Sequence, residues 1–219
     1  MAAVSPSKII CVGLNYKAHA TEGGHQDTPA EPLLFGKFPT TIIGNGDTIV
    51  LPPEATHIDS EAELAVVIGK RVRRISEDDA LDAVEGYLCS NDVSARNLQF
   101  GDKQWTRGKG FDTFCPIGPN GVVPVSELGD GSGLRVVQRL NGEVLQDGNT
   151  NDLIFDVRTL VAFASNVFTL EPGDLILTGT PDGVGVFRDP KITMQDGDVV
   201  EVEIDGIGVL RNPVAAEPR

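Results

Sequence analysis

The sequence predicts an α+β fold in which strands dominate, and three observations predict it. Short apolar runs recur along the chain, separated by glycine- and proline-bearing turns. The dipeptides Asn141-Gly142 and Asp205-Gly206 each join two such runs, the pattern of a tight β-hairpin. Only two longer stretches carry an amphipathic helical pattern.

In order, residues 9–12 read as a buried strand followed by Gly13. Residues 15–22 form a short helix that places His19 and Glu22 on one face, three positions apart, and Gly23-Gly24 ends it. The polar, proline-bearing loop from His25 to Pro32 has little to make it rigid, so residues 15–32 read as a lid. Residues 32–51 alternate apolar runs with Gly44 and Gly46, which suggests strands and tight turns. Ser76 and Asp79 ahead of Ala80, Leu81 and Val84 predict a capped helix stopped by Gly86. Residues 87–90 then re-enter the sheet. Residues 134–140 and 143–146 flank Asn141-Gly142, and residues 157–166 form the second amphipathic helix. A strand at 175–177 follows the Pro172-Gly173 turn, and 199–204 pairs with 207–211 across Asp205-Gly206. No repeat or linker interrupts the pattern, so residues 1–219 read as a single domain.

Composition narrows the class. Apolar residues make up 40% of the 219 and charged residues 23%, ordinary for a soluble globular protein. A formal net charge of −14 argues against nucleic acid or an anionic membrane as partner, since each asks for a basic patch. An anionic substrate would need local cations or a metal to overcome that field. Cys11, Cys89 and Cys115 are odd in number, widely spaced and without a C-x-x-C pair, so they read as buried thiols of a reducing compartment. The N-terminal MAAVSPSK shows no signal-peptide pattern, and no apolar run reaches the ~18 residues of a membrane span. A cytoplasmic protein is expected.

Glu61 and Glu63 are the most informative residues. On a strand, positions i and i+2 share a face, and this face continues into Ala65 and Val67. Two carboxylates at the rim of a buried surface repel unless protonated or bridged by a cation. Glu201 and Glu203 have the same spacing, but their face runs through Val199 and Asp205 and reads as the wet side of a strand. Asp92, after the strand at 87–90, would complete an all-oxygen set suited to Mg²⁺ or Mn²⁺ rather than zinc; its bland alternative is a turn or helix cap. Arg96 shares a side with Asp92 if a helical turn joins them. Lys109 lies between Gly108 and Gly110, which allows either presentation on a tight backbone or a solvated loop. In LTGTPDGVG (residues 177–185), backbone N–H groups and the hydroxyls of Thr178 and Thr180 offer a cradle for a carboxylate, without the order of a phosphate loop. His57 reads as structural.

The ordered segments CVGLNYKAHATE, EPLLFGKF, DSEAELAVVIGK, NDVSARN, QWTRGKGFDTFCPIGP, LNGEVLQDGNTNDLIF and TLEPGDLILTGTPDGVG resemble the fumarylacetoacetate hydrolase family, most of all its short acylpyruvate hydrolase branch, over residues 8–213. The resemblance implies a mixed β-roll, a homodimer and a Mg²⁺ or Mn²⁺ site. It implies Glu61, Glu63 and Asp92 as metal ligands, His19 and Glu22 as a water-activating lid dyad, and Lys109 as the active-site lysine. Arg96, Gln99 and Thr180 match substrate-contact positions. Asn97 and Gly110 depart from the family, which usually has Asp and commonly has Ser there. The activity implied is C–C hydrolysis of an acylpyruvate-type 2,4-dioxo acid. His19 would act as base toward water, and Lys109 would stabilise the oxyanion. Oxaloacetate decarboxylation and keto–enol or double-bond isomerisation use the same equipment. A metal-stabilised protein without catalytic function is the reading from a different class, and it leaves His19, Glu22 and Lys109 without a purpose.

Overall fold

The computed structural model describes residues 4–24 and 27–218. His25 and Gln26 of the expected lid lie outside the described residues. In chain order the strands are β1 (Ile9–Gly13), β2 (Leu33–Lys37), β3 (Ile42–Ile43), β4 (Ile49–Leu51), β5 (Ile58–Asp59), β6 (Ala62–Ile68) and β7 (Val84–Asn91). They continue as β8 (Ser94–Ala95), β9 (Cys115–Pro124), β10 (Arg135–Leu140), β11 (Glu143–Asn149), β12 (Leu175–Leu177), β13 (Val199–Ile204) and β14 (Gly208–Ala216). The α-helices are α1 (Lys17–Glu22), α2 (Arg96–Asp102), α3 (Thr106–Lys109), α4 (Val125–Leu128) and α5 (Val157–Val167).

A seven-stranded mixed sheet runs β2-β1-β12-β6-β7-β9-β3. Its β1–β12 and β3–β9 pairs are parallel and the others antiparallel. A five-stranded sheet runs β11-β10-β13-β14-β4, and β5 pairs with β8 alone. All residues of β6 are buried, because both faces of this strand carry core. Leu64, Val66 and Ile68 pack with Val136, Val202 and Ile204 of the second sheet and with Leu160 and Val161 of α5. Ala65 and Val67 point the other way, into a cluster with Ile9, Cys11, Leu88, Cys115 and Leu177 on the opposite face of the large sheet. Burying apolar surface on both sides contributes about 25 cal/mol per Å² removed from water, so this strand is a stiff base for what lies at its start.

The expected elements form with local adjustments. Asn141 and Gly142 both take positive φ (53° and 84°) in the β10–β11 hairpin, as a twist-matched tight turn requires. Asp156 caps α5 by accepting from the Thr159 N–H at 2.9 Å. Glu201 and Glu203 do lie on the open side of β13, paired with Arg211 and Arg139. All three cysteines are buried free thiols.

The helix expected from Ser76 to Gly86 is instead a 3₁₀ turn at Ala80–Ala83 that passes directly into β7. Gly86 is a strand residue. A Cβ there would fall 2.0 Å from the Val123 carbonyl oxygen of β9, so glycine marks a close strand approach rather than a helix stop. The lid helix is also shorter than expected. Asn15 is buried below it, bonding through its amide to the Phe155 and Thr178 carbonyls and accepting from the Phe155 N–H.

Candidate active site

The β6–β7 pairing builds the acidic cluster. Ala62 is opposite Asn91, and the Asp92 N–H donates to the Glu61 carbonyl at 2.9 Å. One carboxylate oxygen from each of Glu61, Glu63 and Asp92 lies within 4.8 Å of the others, and all three residues are buried.

Buried anions at this density need counter-charge. Lys109 Nζ donates to Glu61 Oε2 and Asp92 Oδ2 at 2.7 Å each and to Ser94 Oγ at 2.8 Å. Arg96 Nη2 lies 2.7 Å from Glu61 Oε1. Lys37, at the end of β2, reaches Asp92 Oδ1 and the Val93 carbonyl. Burial alone would raise the Glu61 carboxyl, but Lys109 and Arg96 outweigh it and hold it below the usual range. Glu63 goes the other way: burial, then the Asp92 and Glu61 charges, push it well above that range, against a weaker pull from Lys109 and the Gly179 N–H. Burial acts to lower Lys109 and Arg96, yet their carboxylate partners win and raise both.

Each cation arrives by its own route. Lys109 sits on the short helix α3, which packs tightly at Gly108: a Cβ there would lie 2.7 Å from the Gln99 backbone nitrogen. No helical turn joins Asp92 to Arg96, so the condition under which the two would share a side is not met. The chain runs through β8, and Arg96 opens α2 with its backbone N–H on the His57 carbonyl. His57 itself is exposed, with Nδ1 3.0 Å from the Thr56 hydroxyl, and is not among the cavity-lining residues.

The loop after β12 behaves differently from the expected ligand cradle, because its N–H groups hold carboxylates of this chain. Gly179 donates to Glu63 at 2.7 Å, Gly183 to Glu22 at 3.0 Å, and Gly185 and Val186 to Asp59 at 3.0 Å each. Thr180 lines the cavity, but its Oγ donates to the Ala62 carbonyl and accepts from Gln146. His19 Nδ1 is 3.3 Å from Glu22 Oε2, and the Phe187 ring stands 6.1 Å away from the imidazole.

These groups open on a cavity of about 160 Å³, smaller than typical drug-sized pockets and suited to a small organic acid. Its polar floor carries the acidic cluster with Arg96, Gln99, Lys109 and His19; its wall is Val12, Leu14, Phe35, Phe100, Trp105 and Phe187. Every site residue expected from the sequence except Glu22 lines the cavity, and Glu22 reaches it through His19. Of the two departures, Asn97 ties α2 to the Glu54–Thr56 segment, away from the cavity. Gly110 sits close over the end of α3: a Cβ there would lie 2.5 Å from the Thr106 carbonyl oxygen, so a side chain at this position requires a local shift of the backbone. Lys37 and Asp59 are additions. Asp59 continues the same-face series Asp59, Glu61, Glu63 and was within reach of that rule; Lys37 carried no signal of a partner at Asp92.

The donor set fits a hard divalent cation: carboxylate oxygens only, close together and buried. The Fumarylacetoacetate (FAA) hydrolase C-terminal family matches residues 8–215. The mitochondrial oxaloacetate tautomerase fahd2 of Xenopus laevis is 48% identical over 212 residues, 96% of this chain and 66% of that protein. The chain thus spans about two-thirds of the length of such curated relatives. The crystal structure of 5-carboxymethyl-2-hydroxymuconate delta-isomerase from Mycobacterium smegmatis superposes with TM-score 0.87 at 42% identity, covering 99% of this chain and 81% of that one. Fumarylacetoacetate hydrolase from Exiguobacterium antarcticum gives TM-score 0.88 at 42% identity, over 97% of this chain and 76% of that one.

Proposed function

The chain belongs to the fumarylacetoacetate hydrolase family, and we propose that it is a divalent-metal enzyme interconverting the keto and enol forms of a small 2-oxo acid of the oxaloacetate type. Glu61, Glu63 and Asp92 would hold Mg²⁺ or Mn²⁺, which supplies a Lewis acid that polarises the 2-oxo group and acidifies the neighbouring C–H. Arg96 and Gln99 hold the carboxylate end. His19, steered by Glu22, takes a proton from carbon and returns it to oxygen, or the reverse. The apolar wall keeps bulk water from the reacting carbon.

The observation that carries this reading is the state of Lys109. An ammonium has three N–H donors, and Glu61, Asp92 and Ser94 engage all of them. Hydrolysis through a tetrahedral oxyanion calls for a donor at that oxygen, and Lys109 would have to give up one of these three bonds to supply it. Proton transfer between carbon and oxygen asks only for a base beside a polarised carbonyl. Two of the relatives, an oxaloacetate tautomerase and a delta-isomerase, carry names that support the same class, while a third is named a hydrolase.

The second reading is the hydrolysis of acylpyruvates, favoured by the His19–Glu22 pair, which is equally placed to activate water. The test compares ketonisation of enol-oxaloacetate, pyruvate release from oxaloacetate and cleavage of acetylpyruvate, each with Mg²⁺ and Mn²⁺. Ketonisation is expected to exceed the other two in kcat/KM by at least about tenfold, a difference of ~1.4 kcal/mol in barrier. Faster cleavage of acetylpyruvate would replace this reading with the hydrolase.

A further inference from the structure

Asp59 is a buried carboxylate that belongs neither to the metal cluster nor to the His19–Glu22 pair. Its Oδ2 accepts from Arg96 Nε at 3.1 Å, Arg96 Nη2 at 2.9 Å and the Val186 N–H at 3.0 Å. Its Oδ1 accepts from the Ser60 N–H at 2.9 Å and the Gly185 N–H at 3.0 Å. The fit on the loop side is close: a Cβ on Gly185 would fall 2.8 Å from Oδ1.

Holding Nε and Nη2 together fixes the plane of a guanidinium. Arg96 Nη2 is shared, because it also lies 2.7 Å from Glu61 Oε1, and Nη1 donates to Gln99 Oε1 at 2.9 Å. Of the five N–H donors of an arginine, these bonds leave one on Nη1, on a side chain that lines the cavity. Without Asp59 the guanidinium charge would turn fully toward Glu61, a candidate metal ligand, and the free donor would lose its direction. The same carboxylate grips Val186, next to Phe187 of the cavity wall.

We infer that Asp59 is the positioning residue for carboxylate capture: it aims Arg96 at the acid group of the substrate, shares the guanidinium with Glu61, and locks the 185–187 turn against the cavity. This inference rests on the proposed 2-oxo acid reading. Asp59 does not touch the substrate and acts through Arg96.

The experiment measures oxalate binding to Mg²⁺-loaded wild type, Asp59→Asn, Arg96→Met and the double variant. The readout is the fluorescence of Trp105, the single tryptophan, which lines the cavity. Asparagine keeps the size but presents an NH₂ group to donors. Oxalate binding by Asp59→Asn is expected to weaken roughly 10–100-fold, the scale of a lost charge-assisted hydrogen bond. With substrate, the loss should fall more on KM than on kcat. The double variant should bind no worse than Arg96→Met, because Asp59 works through that arginine. Asp59→Asn binding within about twofold of wild type, or independent losses that multiply in the double variant, would overturn the inference while leaving the functional reading intact. Absence of any oxalate response in wild type would overturn both. If Asp59→Asn fails to fold because buried Arg96 loses one of its two carboxylate partners, recovery of folded protein in the double variant supports the pairing and failure to recover overturns it.

Discussion

Glu61 and Glu63 stand two positions apart and meet opposite electrostatic surroundings. Lys109 and Arg96 bond directly to Glu61, whereas the hydrogen bond to Glu63 comes from a neutral N–H at Gly179. With its carboxyl raised by burial and by Asp92 and Glu61, folded Glu63 keeps a proton that the unfolded chain releases. Stability without a divalent cation should therefore fall as pH rises above the ordinary carboxylate range near 4.5. Melting curves in EDTA between about pH 5 and 8 should show that decline in wild type and a flatter profile in Glu63→Gln. His19→Ala should cut turnover by roughly 10²–10⁴-fold, the usual range for a lost general base, while leaving oxalate binding measurable. Glu61→Ala should abolish turnover and divalent-cation binding together, as calorimetry with Mn²⁺ would show. The acidic pair was legible because its spacing and apolar continuation are local. Lys37 was not, because its partner Asp92 lies 55 positions away and nothing local distinguishes a buried strand lysine from a solvated one.

Among the elements, those with local signals formed as expected: both hairpins, the amphipathic helix α5, and β12 after its turn. The misread ones were decided by contacts across the fold. Gly86 looked like a helix stop and is a strand glycine under the Val123 carbonyl. The 179–186 loop looked like a ligand cradle and instead binds Glu63, Glu22 and Asp59. Its neighbour Asp174 does similar work at the other end of β12, accepting from the Ser7 and Lys8 N–H groups, the Ser7 hydroxyl, the Lys8 ammonium and the Glu171 N–H. Burial opposes its charge, but those donors, led by Lys8, lower its carboxyl. Its contribution is therefore present at neutral pH and lost as pH falls through the lowered folded-state value. Asp174→Asn should cost about 3 kcal/mol in urea unfolding at pH 7, and the cost should shrink as pH falls through that lowered value. The α1 helix is anchored below by Asn15 and at its end by Glu22 on Gly183. Hydrogen exchange with oxalate should therefore raise protection chiefly beyond Glu22; unchanged strong protection there would defeat the lid.

At the scale of the molecule, the β-rich α+β class was readable because hairpin turns and short apolar runs are local features. The order of strands was not, since β12 inserts between β1 and β6 from far along the chain. The same deep packing seals the thiols: burial pushes both Cys89 and Cys115 up to about 12. A thiol reagent at pH 8 should modify them only at the rate of unfolding. Because the folded thiols stay protonated where unfolded ones ionise, stability should decline as pH rises from about 9 toward 12. The loop after β12 carries one more implication, for synthesis. Gly179 meets Glu63 from 116 positions away, and Gly185 meets Asp59 from 126, separations that make such contacts late in folding. A nascent chain presents the three candidate metal ligands long before the ribosome delivers the N–H groups that meet Glu63 and Asp59. Any site for a divalent ion is therefore completed only once the loop after β12 has been made and has folded back onto the start of β6.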